Sequence, residues 1–302
     1  MTELPFIDAH VHLWKLDRLR YPWLTPPFAD DGPNGSVAAI ARDYLLDDYL
    51  VDAKHWNVVG MVHVEAGADP QDAVAESQWL ETVAQPRGLP NGIVAFAALD
   101  HPAVETLLRA QAANGHLRGI RHIVNWHEDP RRSYTARDVT GDAAWVRGFA
   151  LLAEHRLSFD LQCYPAQMAA LADIFARHPE VPVTVNHMGM AVPDDHDGME
   201  QWQSGMRALA ALPHVSTKLS GPGFVRRDWT QEDIKPLVLG AIELFGAERC
   251  MFASDFPTDR LFGSFDRHLS AYHSIVADFT DAEKRALFAG NANRLYRLEI
   301  AL

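Results

Sequence analysis

The chain has 302 residues, with 27 Lys and Arg against 40 Asp and Glu, a formal net charge of −13. Hydrophobic residues make up 48% and charged residues 22%, the balance of a soluble globular protein large enough to bury a core without staples. The acidic excess argues against a nucleic-acid binder and against docking on an anionic membrane, both of which call for clustered cations. Two cysteines, Cys163 and Cys250, sit far apart in apolar surroundings, which gives no disulfide framework or thiolate metal site. The opening MTELPFIDAH lacks a basic region before an apolar stretch, and no apolar run reaches 18 residues. A cytoplasmic enzyme acting on a small molecule is the expectation.

In chain order, short apolar and β-branched runs recur at 5–10, 57–64, 91–99, 117–124, 157–163, 181–187, 214–220 and 249–255. Their near-continuous hydrophobicity predicts strands buried on both faces of a parallel sheet. Helical periodicity fills the gaps. Tyr44, Leu45, Leu46, Tyr49, Leu50 and Ala53 favour one side, as do Val104, Leu107, Leu108 and Ala112, with Gly115 placed to end that helix. A final helix over 281–300 is expected to close the outer ring. Eight strand–helix units predict a (β/α)₈ TIM barrel occupying 1–302 as one domain. The doubly wound alternative lacks a Gly-rich phosphate loop after its first strand.

Residues 18–36 break this rhythm with four prolines and two glycines directly after the first strand. A long loop there is expected to cap the barrel mouth, carrying Tyr21 and Trp23 into the site. Packing on neighbouring helices is the plainer alternative.

Functional groups of a barrel cluster at the C-terminal ends of its strands. There the sequence places His10 and His12 in DAHVHLW, two residues apart and so on one face. The second strand adds His63 and Glu65; the fourth adds Arg121 and His122, with Asn125 and Trp126 beyond. Gln162 and Tyr164 follow the fifth, His187 the sixth, Lys218 the seventh and Asp255 the eighth. A carboxylate among imidazoles and cations is suited to act as a general base. Asp255 is therefore the candidate base, although an aspartate there also suits a helix cap.

Those strand-end motifs carry a resemblance. DAHVHLW (8–14), HVEAG (63–67), RGIRHIV (118–124), NHMG (186–189), STKLSG (216–221), ASDFP (253–257) and FAGNANRLY (288–296) stand in order along nearly the whole chain. Together they resemble the amidohydrolase superfamily, in its amidohydrolase-related branch of sugar lactonases and pyrone-dicarboxylate lactonases. The resemblance implies a distorted barrel with His10, His12, His187 and Asp255 at the reacting centre. The chain departs from metal-dependent members in two places. The fourth strand has arginines where a bridging lysine would stand, and the fifth has Gln162 where a histidine would stand; Gln is a poor zinc ligand.

The expectation is therefore a lactonase that needs no metal. If one divalent ion such as zinc does bind, the expected ligands are His10, His12 and Asp255, with Glu65 or His187 supplementing them. Arg121, His122, Trp126, Tyr164 and Lys218, with Trp23 from the cap, are the expected substrate contacts. A sugar aldonolactone such as fucono- or rhamnonolactone is the first substrate. The alternatives are a dicarboxylated pyrone or muconolactone, a metal-dependent decarboxylase of the same superfamily, and a sugar-binding barrel without catalysis.

Overall fold

In a computed structural model describing residues 3–302, the eight apolar runs become eight parallel strands paired in sequence order. They are β1 (Pro5–Val11), β2 (Asn57–Val64), β3 (Gly92–Phe96), β4 (Leu117–Arg121), β5 (Ser158–Leu161), β6 (Val183–Val185), β7 (Val215–Leu219) and β8 (Cys250–Phe252). A helix follows each strand, and parallel strands buried on both faces need that cover. The seam between β8 and β1 is closed by a bridge between Val11 and Phe256. This is a (β/α)₈ barrel.

Two local features of β1 aim its histidines. The β1–β2 register shifts between Asp8, opposite Met61, and Val11, opposite His63, so three steps on β1 match two on β2. Such a bulge re-aims side chains. Ile7 and Ala9 join the apolar cluster inside the barrel, whereas Val11 packs in the larger core with the surrounding helices. His10 and His12 then lie side by side, their ring centroids 4.9 Å apart. The seam bonds tie the same residues together: Asp255 N–H donates to His10 O at 2.9 Å, and His12 N–H donates to Phe256 O at 2.8 Å.

The C-terminal segment corrects the expectation of one outer-ring helix over 281–300. It forms short α-helices at Asp281–Arg285 and Asn291–Leu295 on either side of a π-turn at Ala286–Gly290. Beyond them the chain turns under the barrel, with positive φ at Arg297 and Glu299. Ala289, Ala292, Tyr296 and Leu298 pack with Ile7, Ala9, Val62, Val64, Val94, Met251 and Ala253, forming the floor. The segment packs closely on Gly60 of β2, where a Cβ would press on the tip of the Ile300 side chain. The helix after β3 also ends earlier than expected, at Gln111 rather than near Gly115. Among the described residues, no helix is long and apolar enough to cross a membrane.

Candidate active site

A cavity of about 240 Å³ opens at the C-terminal ends of the strands, somewhat smaller than the roughly 300–1,000 Å³ usual for ligand pockets. Asp255, His12, His187, Arg121 and Gln162 reach it from the strand ends, and Trp23 comes from the cap loop.

Asp255 follows β8 in a left-handed conformation, φ +56°, which is uncommon for a residue with a side chain. Its Oδ1 lies 3.1 Å from His12 Nε2 and 3.4 Å from His10 Nε2. Its Oδ2 is buried without a hydrogen-bond partner. Burial pushes the carboxyl up to about 6, against the pull of His187, Arg121 and Lys218. The histidines move the other way: burial, reinforced by neighbouring positive charge, lowers His12 and His187 to about 3 and His10 well below its usual range. They are neutral imidazoles at physiological pH, each with one lone-pair nitrogen.

Their hydrogen bonds orient them. His12 Nδ1–H donates to Val64 O at 2.8 Å, so the His12 Nε2 lone pair points at Asp255 Oδ1. That contact needs a proton or a cation to be attractive. His187 Nδ1 pairs with Ser220 Oγ at 3.0 Å, and its ring lies against His10 and Phe224 at 4.7 and 4.8 Å between centroids.

Both buried cations already have carboxylate partners. Arg121 Nε donates to Glu65 Oε1 at 2.6 Å, one Nη to Glu65 O at 2.6 Å, and the other to Gln162 Oε1 at 3.1 Å. Glu65 Oε2 accepts from Gly67 N–H at 2.8 Å. Lys218 Nζ lies 2.5 Å from Asp160 Oδ2, and neither side chain is exposed.

Several expected substrate contacts lie elsewhere. Along β4 the period of two turns Arg121 and then Ile123 inward, while His122 faces out, accepts from Leu99 N–H at 3.2 Å and packs edge-on against Phe96. Trp126 is 39% exposed and lines a separate surface groove. Tyr164 caps the helix Pro165–Ala176 and donates to Arg132 O at 2.7 Å, in an outer groove of about 640 Å³ that shares only Phe224 with the cavity. Lys218 lies beside His10, bound to Asp160, and does not line the cavity. Tyr21 is buried, its hydroxyl donating to Glu76 Oε1 at 3.3 Å, so it anchors the cap loop instead of reaching the cavity. His63 Nε2–H donates to Leu13 O at 3.2 Å and is likewise outside.

The expected metal set also changes. Glu65 is committed to Arg121 and Gly67, which removes it as a ligand. Ligand atoms of His10, His187 and Asp255 all lie within 4.8 Å of one another. The unpartnered Asp255 Oδ2 and the His12 lone pair directed at Oδ1 also fit a bound cation, so a divalent ion suits these residues.

Sequence reasoning missed Asn34, Ile123, Tyr134, Phe224 and Thr258 in the cavity wall. Tyr134 O–H donates to Asn34 Oδ1 at 2.7 Å, joining the loop after β4 to the cap loop. Asn34 lies within the 18–36 segment, so that loop was the signal available for it. Tyr134 had none, since loop residues follow no periodicity.

A barrel with a histidine pair on β1, a histidine after β6 and an aspartate after β8 is the architecture of a hydrolytic enzyme class, and the comparisons agree. The chain belongs to the amidohydrolase family, whose model matches residues 7–298. It is 40% identical over 303 residues to the uncharacterized protein y4mH of Sinorhizobium fredii, covering 99% of this chain and 100% of that one. It is 28% identical to an L-fucono-1,5-lactonase of Burkholderia multivorans, over 97% of this chain and 96% of the lactonase. A crystal structure of a B. multivorans amidohydrolase with bound zinc superposes with a TM-score of 0.79 at 27% identity, covering 97% of this chain and 99% of that one. These relatives support a hydrolase.

Proposed function

We propose that the protein hydrolyses a small neutral lactone, a sugar aldonolactone such as a fucono- or rhamnonolactone being the first candidate. The observation that carries this reading is Asp255: a buried carboxyl with one oxygen against two neutral histidines and the other unpartnered beside the cavity. Similarity to an L-fucono-1,5-lactonase supports the substrate class.

Asp255 removes a proton from water as the water oxygen attacks the lactone carbonyl. The tetrahedral oxyanion is met by hydrogen-bond donors at the cavity wall, of which the Arg121 guanidinium is the strongest. One such donor is worth about 3 kcal/mol of transition-state stabilisation. Collapse of the intermediate breaks the ring C–O bond, and Asp255 returns its proton to the departing alkoxide. Lactone and water become one hydroxy acid, which ionises. His10, His187 and Asp255 would hold a divalent ion, whose chemistry there would be to polarise the lactone carbonyl.

Charge argues for a neutral substrate. Arg121 is offset by Glu65 and Lys218 by Asp160, so neither of the two buried cations nearest Asp255 is left unpaired for a dicarboxylated pyrone. A panel of aldonolactones assayed with a pH indicator tests the proposal. Proton release on adding a neutral sugar lactone is expected. Turnover confined to a dicarboxylated pyrone, carbon dioxide release from an aromatic acid, or binding without turnover would each replace it.

A further inference from the structure

The amide of Gln162 ends the inward face of β5. Asp160 points into the barrel, where Lys218 Nζ and Tyr296 O–H donate to it. The period of two turns Gln162 the same way, while Phe159 and Leu161 pack outward in the larger core. Its main chain is held by Val124 N–H, which donates to Gln162 O at 3.1 Å. The residue is 3% exposed and lines the cavity.

Its neighbour distinguishes the two ends of this amide. Arg121 Nη1 lies 3.1 Å from one of them, and a guanidinium only donates, so that end is the oxygen, Oε1. Nε2, with two N–H, is then turned away from the arginine. Among the described residues Nε2 has no hydrogen-bond partner, and it is not one of the unpartnered polar atoms sealed from solvent, so it opens on the cavity. Gln167 nearby shows the ordinary case. Its Oε1 accepts from Tyr164 N–H and Trp126 N–H, and its Nε2 donates to Val124 O and Asp138 Oδ1. A buried amide normally spends both ends on the protein, so the open end of Gln162 is suited to an acceptor on a ligand.

We infer that Gln162 is a catalytic residue whose Nε2–H donates to the lactone carbonyl oxygen, a bond that strengthens as that oxygen becomes the tetrahedral oxyanion. Position selects this atom of the substrate. Arg121 Nη1, which holds the amide, and Asp255 Oδ1 each lie 3.4 Å from His10 Nε2, so amide and carboxylate stand at one corner of the cavity. A carbonyl attacked by the water of Asp255 has its oxygen beside Gln162. Charge selects the same atom. The guanidinium on Oε1 draws electron density from the amide and makes Nε2–H a stronger donor, which helps most where negative charge develops. Substrate hydroxyls gain no such charge. The amide gives up no proton, and with Oε1 taken it offers a metal ion no lone pair. The inference rests on the proposed function for its reaction and names the group that performs one step of it.

Two variants separate donation to substrate from support of Arg121. Gln162→Glu still accepts from Arg121 but has no N–H to give, and Gln162→Met has neither function. A donor role lowers kcat for the best aldonolactone by about 10²–10³ in both, with KM little changed, each variant being measured on its own pH plateau. Gln162→Glu with more than a tenth of wild-type kcat would overturn the inference, since holding Arg121 would then be the whole role of Gln162. A second readout needs no turnover. Infrared difference spectra of bound L-fucono-1,5-lactam, labelled with carbon-13 at its carbonyl, report the bond directly, because a donor lowers the carbonyl stretching frequency. The band should lie lower in the wild type than in either variant, and Gln162→Glu alone decides if Gln162→Met does not fold. Equal frequencies would overturn the inference even if lactones are hydrolysed. A shifted band without hydrolysis of any lactone would overturn the proposed function and leave Gln162 as the donor to a bound carbonyl. A wild type that does not bind the lactam overturns both.

Discussion

Arg121 and Glu65 form a closed pair at the cavity: Nε donates to Oε1 at 2.6 Å, with 5% and 2% of the two side chains exposed. An ion pair this buried contributes little net stability while intact, but removing one partner strands the other, typically at about 3–5 kcal/mol. Glu65→Gln keeps the side chain's shape and removes its charge. Its unfolding free energy in urea should fall by about 3 kcal/mol. The same change leaves Arg121 with charge to offer, so affinity for a carboxylated lactone should rise relative to a neutral one. Equal stability in the two proteins would mean that Glu65 does not neutralise the arginine.

A second buried carboxyl gives a stability profile with a defined sign. Glu76 accepts from Ala66 N–H at 3.2 Å and from Tyr21 O–H, and so ties the start of the cap loop to the helix Ala73–Arg87. Burial raises it from 4.5 to about 8, with the neighbouring Glu65 charge adding to the rise. Between those values the folded protein keeps a proton that the unfolded chain has released. Stability therefore declines as pH rises from about 4.5 to 8 and levels off above, a loss approaching about 5 kcal/mol. Glu76→Gln cannot titrate, so its advantage over the wild type should grow from small at pH 5 to several kcal/mol at pH 8. Comparing urea unfolding of the two proteins at both pH values cancels the other titrating groups. A pH-independent difference would place the Glu76 pKa near its ordinary value.

The wall residues separate by position. Trp23 is fixed by its indole N–H, which donates to Ala66 O at 2.8 Å, and it presents its ring to the cavity. Trp23→Ala should raise KM for a sugar lactone by about tenfold, the worth of one aromatic contact of about 1.4 kcal/mol, with less effect on kcat. Trp126→Ala should leave both constants within twofold, since that indole faces a different groove. Equal losses in the two variants would place the substrate outside the cavity described.

What the sequence made legible follows from how each element is buried. Strands covered on both faces must be apolar throughout, so all eight stood out, and the strand ends located Asp255, Arg121 and the histidines. The parity of each strand end was less legible. Arg121 and His122 are adjacent and face opposite sides, and only the period of two separates them. The bulge in β1 breaks that period and leaves no mark in DAHVHLW. Tyr296 and Leu298 read as the apolar stripe of an outer helix because a helix stripe and a barrel floor require the same residue types. The pairing of Lys218 with Asp160 was also hidden, since the partners lie 58 positions apart on β7 and β5. Those pairings changed the electrostatic reading of the site, turning two expected substrate-binding cations into internally compensated ones.

Asp255 permits a test in which activity and folding move independently. Its backbone is left-handed, a conformation that Asn adopts more readily than most residues, and its Oδ2 has no partner to lose. Asp255→Asn should therefore fold, with an unchanged circular dichroism spectrum. The amide cannot remove a proton from water, and loss of a general base typically costs about 10²–10⁴ in rate. The expected result is a fall of that size in kcat for the best aldonolactone, with KM little changed because the wall contacts remain. Retention of more than a tenth of wild-type kcat would assign the base elsewhere. His12 is the next group to test in that case, because its Nε2 lone pair already faces the same corner of the cavity.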